Sequence, residues 1–493
     1  MQRHLIISLV SAMILFVTGC QSALKANVEA DLFNPDQTGI RWGLMVADTD
    51  GTELLSMRAD DRFTPASNTK VITTMAAYHA LAELEDPSHN PGTQVFIEQA
   101  PDAALPSLVL SGGGDAMLQD SVACEQTCLS DLADQIAALE PKHYAAIIGD
   151  DTLFAFERWG VGWSLEDLQY YYGTAISALS VNDNLVWVDI TPGAAPGDPA
   201  TATWQDGDVF LDLDVRVTTL PASEKRRLGI EREPDSRTVR IYGEMPADLA
   251  PLSFGLAIDN PAEFAALRLK RHLEERGIRV DTVSTRHRPS SLADRPSDED
   301  AALVTLSPAT KRNPVASLAP TPLQDSLRRI SKDSENLHAD VLLRRLGLLN
   351  GTGSRSYGVQ YLEDFLTTAG LPETAYALHG GSGMSIYNRV TPRGMVQLLA
   401  FAEDQPWWDA WLADQPIGGV DGSLKRRFKG TPLEGRIFAK TGTLNGANAL
   451  SGMMIAASGR PLLFSIIAND RPALTGSAIG EMDDALNRIA AAY

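Results

Sequence analysis

Ser67 and Lys70 are the residues of this chain whose types and spacing most directly suit nucleophilic catalysis. They open a segment whose apolar residues recur at helical spacing, so both side chains are expected on one helix face. A serine hydroxyl is a weak nucleophile until a neighbouring base removes its proton. A lysine amine can be that base only where its pKa lies well below roughly 10.4. Burial and a second nearby cation both lower a lysine pKa.

The Ser-x-x-Lys pattern is a weak signal by itself. Ser22 and Lys25 repeat it near the N-terminus, where no active site can be built. The ordinary interpretation of any one copy is a helix start that carries a solvated lysine. Further residues are therefore needed before Ser67 can be assigned a role.

The run Lys440-Thr441-Gly442-Thr443 supplies such residues, on a segment that reads as a strand. An edge strand beside the Ser67 helix would present Lys440 as the second cation. Gly442 would let the strand approach a ligand closely. Thr441 and Thr443 suit a substrate carboxylate, and the backbone N–H groups of Thr443 and Ser67 suit a developing oxyanion.

A Ser-x-Asn pattern occurs three times, at Ser88–Asn90, Ser180–Asn182 and Ser334–Asn336. The first copy falls in a Pro/Gly loop, and the second lies in a region of short strand-like segments. The third lies at a turn between two predicted helices of the C-terminal half. We choose Ser334 and Asn336 as the pair that joins Ser67, Lys70 and Lys440.

The elements that must position these residues come from both ends of the chain. Strands are predicted at 40–47 and 53–57, and three neighbouring antiparallel strands are predicted between 436 and 468. Helical patterns lie between them. We expect an α/β (α+β) fold in which residues 36–94 and 303–493 form one domain, an antiparallel sheet flanked by helices. Residues 95–302 would be a large β-rich insertion.

The N-terminus reads as a targeting segment, with Arg3 and His4 before a short apolar run. Residues 1–19 are predicted to be a signal peptide. The run ends in Val17-Thr18-Gly19-Cys20, which resembles a bacterial lipobox, so Cys20 would carry the lipid and residues 20–35 would be a tether. The alternative is an ordinary signal peptide with a chance cysteine. Gln21 is not the aspartate of inner-membrane retention, which by analogy favours the outer membrane.

The composition of the chain limits which ligands and cofactors it is expected to bind. The formal net charge of −21 argues against nucleic acid, which needs a basic face. The eight histidines show no metal-ligand spacing, so neither a metal nor another cofactor is expected. Cys124 and Cys128 would lie in an oxidising compartment after export. We expect a local disulfide between them, and the alternative is two free thiols on one helix face, which also fits their spacing.

Ser-x-x-Lys, Ser-x-Asn and Lys-Thr-Gly in this order resemble the motifs of the penicillin-recognising serine acyl-transferases. More narrowly, the chain is similar to the class C low-molecular-mass penicillin-binding proteins, the D-alanyl-D-alanine carboxypeptidase/endopeptidase family. Segments that carry this resemblance spread over nearly the whole chain: 65–70, 177–184, 334–337, 381–385, 388–392, 419–424 and 440–446.

The resemblance implies a transpeptidase/β-lactamase-like domain with nested insertions. It implies an extracytoplasmic serine DD-peptidase that acts on peptidoglycan peptide stems and is acylated by β-lactams. Ser67 would attack with Lys70 as base, Ser334 would relay a proton to the leaving amine, and Asn336 would hold the substrate amide. Asp151 matches a family stretch that contacts the diaminopimelate side chain, although a strand-end turn explains the same residues.

One departure is the absence of the family's aspartate before Ser382 and Gly383, where this chain has glycine. That absence concerns a local hydrogen bond or a substrate contact, and it does not involve the nucleophile. Two other functions remain open from sequence. A serine β-lactamase or esterase would use the same scaffold, and a catalytically silent lipoprotein would only bind the cell wall.

Overall fold

The computed structural model describes residues 23–32, 39–120, 124–205, 210–291, 295, 313–472 and 477–493. Its strands are β1 (Arg41–Ala47), β2 (Glu53–Met57), β3 (Thr93–Glu98), β4 (Ser107–Ser111), β5 (His143–Ala155), β6 (Leu185–Thr191), β7 (Thr201–Trp204), β8 (Asp212–Leu220), β9 (Arg227–Glu231), β10 (Thr238–Pro246), β11 (Leu252–Ala257), β12 (Arg279–Arg288), β13 (Ala316–Leu318), β14 (Tyr376–Ala377), β15 (Arg389–Val390), β16 (Ile437–Leu444), β17 (Ala447–Ile455) and β18 (Pro461–Asn469).

The α-helices are α1 (23–31), α2 (Thr69–His79), α3 (Leu81–Glu85), α4 (Leu129–Ala137), α5 (Pro261–Glu275), α6 (Leu323–Lys332), α7 (Asn336–Asn350), α8 (Arg355–Thr368), α9 (Pro392–Glu403), α10 (Trp408–Ala413) and α11 (Ile479–Ala492). None of these helices is long and apolar enough to cross a membrane.

The described residues group into two units. The first unit contains the chain up to His79, Leu327–Ser334 and Leu362–Tyr493. The second contains Ala80–Ser326 and Glu335–Tyr361. The boundaries expected from sequence, 36–94 with 303–493 around 95–302, stay a prediction. The grouping differs from them most clearly in placing 335–361 with the inserted region.

A five-stranded antiparallel sheet organises the first unit, in the order β16-β17-β18-β1-β2. β1 pairs with β18 over its full length, from Arg41 opposite Asn469 to Ala47 opposite Leu463. The two ends of the chain therefore complete one sheet. β17 is buried at nearly every position because both faces of the sheet are covered.

One face of this sheet packs on α11 and on α1. Val28 and Leu32 are buried in the same core as Leu44 of β1 and Leu486 of α11. The segment predicted as a tether is thus partly folded onto the first unit, because two of its apolar residues are buried against a hydrophobic surface. Arg488 of α11 also forms a bidentate ion pair with the carboxylate of Asp31.

The helix predicted after Pro65 begins as a 3₁₀ turn at Ala66–Asn68 and continues as α2. Every residue of α2 except His79 is buried, which an amphipathic pattern did not predict. Its buried hydroxyls are satisfied. Thr73 Oγ1 donates to Gly381 O at 2.8 Å, and Trp411 Nε1 donates to Thr74 Oγ1 at 3.0 Å. The helix ends at His79, and α3 follows.

The second unit holds a mixed sheet of order β12-β5-β4-β3-β13 and two three-stranded sheets, β11-β6-β7 and β8-β10-β9. β4 and β12 both run parallel to β5. Helices α4 and α5 contribute Leu132 and Leu269 to the core of this unit, which also takes Ile147 from β5. The insertion is therefore as rich in strands as its short apolar runs and turn residues predict.

Candidate active site

The turn that carries Ser67 is held by the sheet edge of the first unit. Ala66 has a backbone φ of +48°, in the left-handed region that a residue with a Cβ rarely adopts. The turn is fixed from β16, since Asn68 Nδ2 donates to the backbone oxygen of Lys440 at 2.8 Å. Thr69 Oγ1 donates to Ala66 O at 2.9 Å. These bonds hold a conformation that the turn would not favour alone.

Lys70 is completely buried directly behind Ser67. Its Nζ donates to Ser67 Oγ at 2.9 Å and to the backbone oxygen of Ser382 at 2.7 Å. The first distance is hydrogen-bond reach for a base and its nucleophile. The spacing of three residues on one helix face therefore produces the contact that the sequence predicts.

Ser334 and Lys440 form a second serine–lysine pair in the same unit. Lys440 Nζ donates to Ser334 Oγ at 2.8 Å and to its neighbour's oxygen, Thr441 O, at 3.1 Å. Ser334 has a backbone φ of +66°, in the turn between α6 and α7. Ala66 directly precedes Ser67, and Ser334 is itself the serine of the Ser-x-Asn pattern. Backbone strain is therefore located next to both serine hydroxyls.

Burial, followed by the charge of Lys70, holds the pKa of Lys440 well below its ordinary value. Lys440 is 1% exposed, so water does not stabilise its ammonium form. Because the repulsion between two ammonium groups is mutual, the site favours a state in which one of the two amines is neutral. A neutral amine can accept a proton, which is what a serine nucleophile requires.

Strand β16 is an edge strand of its sheet, and it lies against the Ser67 turn at Gly442. A Cβ on Gly442 would lie 2.4 Å from the backbone oxygen of Pro65. Glycine therefore allows a close approach of backbone to backbone. The sequence had suggested close approach to a ligand, so the reason for the glycine differs from the one expected.

The outer edge of β16 also carries the backbone groups suited to an oxyanion. Ala439 N donates to Pro416 O at 3.0 Å, on the side of β16 that faces away from β17. The backbone N–H groups of the odd-numbered residues of β16 therefore point away from β17. Because backbone groups alternate along a strand and the pairing of β16 with β17 is regular, the N–H of Thr443 faces the same outer side. This is the direction that the predicted oxyanion site needs.

Residues 380–385 pack under the turn that carries Ser67. Gly383 has φ of +88°, and a Cβ there would lie 1.9 Å from Ala66 O. Asn388 ties the segment to α2, because its Nδ2 donates to Thr69 Oγ1 at 3.1 Å and to Gly380 O at 3.4 Å. Gly380 occupies the position at which the resemblance led us to expect an aspartate. There, the backbone oxygen of Gly380 accepts from the side-chain amide of Asn388.

The threonines of the Lys-Thr-Gly-Thr run have side-chain partners outside the two serine–lysine pairs. Thr441 Oγ1 donates to Ser423 Oγ at 2.8 Å. Asn448 Nδ2 donates to Thr443 Oγ1 at 3.3 Å. The loop that holds Ser423 is anchored in turn, since Lys332 Nζ forms an ion pair of 2.6 Å with Asp421.

Asn336 belongs to the second unit, where it begins α7 and is 9% exposed. Its Nδ2 donates to the backbone oxygen of Tyr172 at 2.8 Å. Two residues on, the buried ring of His338 lies 2.9 Å from Asp183 Oδ1 and 3.0 Å from Ser326 Oγ. The start of α7 is therefore tied to the 3₁₀ turn Asn182–Asn184. Whether Asn336 acts with Ser67 stays a prediction.

Asp151 lies inside β5, in the second unit, and not at a strand end. It is buried, and its carboxylate accepts from Ser177 Oγ at 3.0 Å and lies 2.8 Å from His287 Nδ1. The strand-end explanation for this residue is therefore wrong. Its predicted contact with substrate stays a prediction.

The remaining predicted positions are scattered. Cys124 and Cys128 have their sulfur atoms 2.02 Å apart, as a disulfide. Cys20 and the predicted signal peptide lie outside the described residues. The other two Ser-x-Asn copies have other partners: Ser88 Oγ donates to Asp86, and Asn182 Oδ1 accepts from the Asp120 N–H.

Within the described ranges, no group of three or more His, Cys, Asp or Glu side chains is placed to hold a metal ion. Sequence reasoning missed Asn68, the backbone oxygen of Ser382 and Ser423 as parts of the site. Asn68 and Ser423 lie within the segments that carried the family resemblance, which was the available signal. The oxygen of Ser382 had no signal, because any residue supplies a carbonyl.

Comparison with known proteins adds a family match that covers most of the chain. The model of the D-Ala-D-Ala carboxypeptidase 3 (S13) family matches residues 24–493. The D-alanyl-D-alanine carboxypeptidase of Actinomadura sp. (strain R39) is 32% identical over 465 residues, covering 90% of this chain and 81% of that protein. Penicillin-sensitive carboxypeptidase A of Dictyostelium discoideum is 24% identical over 486 residues, covering 90% and 86%.

Among solved structures, penicillin binding protein 4 (dacB) from Haemophilus influenzae is similar with a TM-score of 0.75. The two chains are 20% identical, and the likeness covers 94% of this chain and 98% of the other. At this identity the likeness concerns the fold alone. The α+β architecture predicted from sequence is confirmed.

Proposed function

The chain belongs to the D-Ala-D-Ala carboxypeptidase 3 (S13) family and is a serine DD-peptidase; on that premise we propose that Ser67 is its nucleophile. The observation that carries this proposal is the pair of serine–lysine contacts in one unit, Ser67 with Lys70 at 2.9 Å and Ser334 with Lys440 at 2.8 Å. Two such pairs supply a base for the attack and a route for the proton afterwards.

In the acylation step, the Lys70 amine accepts the proton of Ser67 Oγ. The oxygen attacks the carbonyl carbon of the penultimate D-alanine and forms a tetrahedral oxyanion. The N–H groups of Ser67 and Thr443 stabilise the negative charge. Collapse of this intermediate breaks the C–N bond and leaves an ester on Ser67.

The leaving amine takes its proton through Ser334, whose hydroxyl is bound to Lys440. Water then attacks the ester carbonyl, and the released proton returns to the Ser67 oxygen. Thr441 holds the substrate carboxylate, Gly442 keeps β16 against the nucleophile turn, and Asn336 holds a substrate amide. A β-lactam acylates the same serine, and its ester is hydrolysed slowly.

We propose further that the protein is exported and anchored by a lipid on Cys20. The support is the lipobox-like run 17–20 and the need of a peptidoglycan enzyme to reach the cell wall. Gln21 favours the outer membrane of a periplasm-bearing cell.

Mass spectrometry after incubation with benzylpenicillin tests the proposed nucleophile. We expect a stable adduct on Ser67, absent from Ser67→Ala and present in the matched control Ser88→Ala, whose hydroxyl donates to Asp86 instead of contacting a lysine. An adduct on another residue would contradict the assignment. Rapid loss of the adduct with release of penicilloate would favour a β-lactamase. Absence of any adduct would favour a catalytically silent lipoprotein that only binds the cell wall.

A second assay separates two peptidase activities. The rate of D-alanine release from a monomeric stem pentapeptide measures carboxypeptidase action. The rate of cleavage of a cross-linked stem dimer measures endopeptidase action. Both rates should disappear together in Ser67→Ala, because both reactions use one acyl-enzyme.

A further inference from the structure

The sheet β11-β6-β7 in the second unit has one buried face and one face open to solvent. Along β6, Val186, Val188 and Ile190 are buried in the core, and Trp187 and Asp189 alternate with them. The open side thus follows the two-residue period of a strand. We call Tyr171, Trp187, Asp189, Gln205 and Ser253 the Trp187 face.

Two aromatic rings lie exposed at one end of this face. Trp187 is 38% exposed and Tyr171 is 54% exposed. Between them lies Gly255, which pairs with Trp187 across β11 and β6. A Cβ there would lie 3.1 Å from both the Trp187 indole and the Tyr171 Cβ. Glycine therefore leaves room for the Trp187 indole and for Tyr171 to lie against the strand, and both side chains stay partly exposed.

A network of polar side chains continues the face beyond the rings. Asp189 lies two residues from Trp187 on β6, opposite Ser253 on β11. Gln205 Nε2 donates to Asp189 Oδ1 at 2.9 Å and to Ser253 Oγ at 3.2 Å. Hydrogen bonds from Ser253 and then Gln205 lower the pKa of Asp189, so this carboxylate is ionised at neutral pH.

Flat aromatic rings beside fixed hydrogen-bonding side chains match the chemistry of a sugar. One side of a pyranose ring presents C–H groups, which pack on the negative face of an aromatic ring. Its hydroxyl and acetamido groups donate to carboxylate and amide oxygens, and the Gln205 amide can donate in return. An ionised Asp189 disfavours anionic ligands such as phosphate polymers.

The position of the face links it to the substrate. Tyr171 is followed by Tyr172, and their rings meet edge-on with centroids 5.2 Å apart. The backbone oxygen of Tyr172 accepts the hydrogen bond from Asn336 at 2.8 Å. The face therefore adjoins, within the second unit, the residue proposed to hold the substrate amide. In peptidoglycan, the sugar chain is covalently attached to the stem peptide.

We propose that the Trp187 face binds the glycan strand of peptidoglycan, a polymer of N-acetylated hexosamines. This inference rests on the proposed function, because the stem peptide bound near Asn336 would bring its own glycan to the face. Binding there would favour polymeric peptidoglycan over free stem peptides.

The test measures the dissociation constant for linear oligomers of N-acetylglucosamine, a neutral stem-free glycan built from N-acetylated hexosamines. We expect Trp187→Ala and Tyr171→Ala each to weaken binding by roughly three- to tenfold. Trp187→Phe keeps a ring and should recover most of the affinity. Tyr242→Ala is the matched control, because Tyr242 is 44% exposed on β10, in a different sheet of the same unit.

Unchanged glycan binding by both alanine variants would overturn the proposal. An equal loss in Tyr242→Ala would also overturn it, as would binding to intact peptidoglycan without binding to stem-free glycan. Penicillin acylation and hydrolysis of a free stem peptide should stay within about twofold of the unmodified protein, because neither ligand carries a glycan. If the unmodified protein lacked both activities but still bound glycan through the Trp187 and Tyr171 rings, the proposed function would be refuted and the glycan-binding proposal would stand.

Discussion

Two buried lysines next to two serines define the site at the scale of single residues. The amino groups of Lys70 and Lys440 donate to hydroxyl and backbone oxygens. Oxygen acceptors tolerate an amine in either charge state, whereas a carboxylate would fix it as ammonium. This arrangement suits a proton that must move during the reaction, and it costs folding free energy.

That cost should be visible in the pH dependence of stability. The pKa of Lys440 is lowered in the folded protein, so between that value and roughly 10.4 the unfolded chain binds more protons. The free energy of unfolding should therefore increase as pH rises through that range, with a slope of at most one proton from this group. Urea denaturation at pH 7, 8 and 9 measures it.

Lys440→Met should flatten this rise and lower the rate of penicillin acylation by about 10²-fold or more. The control is Lys429→Met, at an exposed lysine. It should keep both the increase of unfolding free energy with pH and the rate of penicillin acylation. An equally steep rise in Lys440→Met would show that its amine is not the group that titrates.

Gly442→Ala tests the close approach of β16 to the nucleophile turn. The added Cβ would meet the Pro65 oxygen at 2.4 Å, so strand and turn must separate. We expect acylation to slow by at least about tenfold, because displacements near 1 Å have such effects. Gly480→Ala is the matched control. Nothing lies within 4 Å of a Cβ at Gly480, and it should leave acylation unchanged.

At the scale of elements, the nucleophile turn is attached to the sheet by a side chain that imitates a strand. Asn469, at the end of β18, accepts from Thr64 N at 2.6 Å and donates from Nδ2 to Thr64 O at 3.1 Å. The amide thus makes both hydrogen bonds of a β-bridge. The extended segment before Ser67 is fixed at the same sheet that presents Lys440.

Asn469→Ala should lower the free energy of unfolding by about 2–3 kcal/mol, because two hydrogen bonds are lost at a buried position. Chemical denaturation measures this, and the acylation rate should fall with it. Thr64→Val keeps the backbone groups of Thr64, so it should preserve most of the stability. A loss of stability in Thr64→Val equal to that in Asn469→Ala would contradict the bridging role.

At the scale of the whole molecule, each unit has its own core. The first unit buries α1, the sheet and α11 around Leu44 and Leu486, and the second packs α4 and α5 on a mixed sheet around Ile147. The central pairing of the first unit joins residues that are far apart in sequence, such as Arg41 and Asn469. Such non-local pairing makes folding slow relative to a helical bundle of the same size.

The proposed anchor is also a property of the whole molecule. We expect Cys20→Ser to release the protein from the membrane fraction of the expressing cell without changing penicillin acylation of the soluble form. The reason is that a lipidated cysteine provides the attachment. Fractionation followed by labelling with a fluorescent penicillin measures both. Cys20→Ser that remains in the membrane fraction would contradict lipid anchoring through this residue.

The sequence alone determined the order of the motifs, the pairing of Ser67 with Lys70 and the sheet built from both ends of the chain. These depend on local spacing and on strand and helix periods, which the chain carries in its own pattern. Only the tertiary structure decided that Lys440 is bound to Ser334, and that Gly442 meets backbone. It also decided that α2 is buried on all sides and that α1 is folded onto the core. These facts depend on which distant surfaces meet, and a linear pattern does not contain that information.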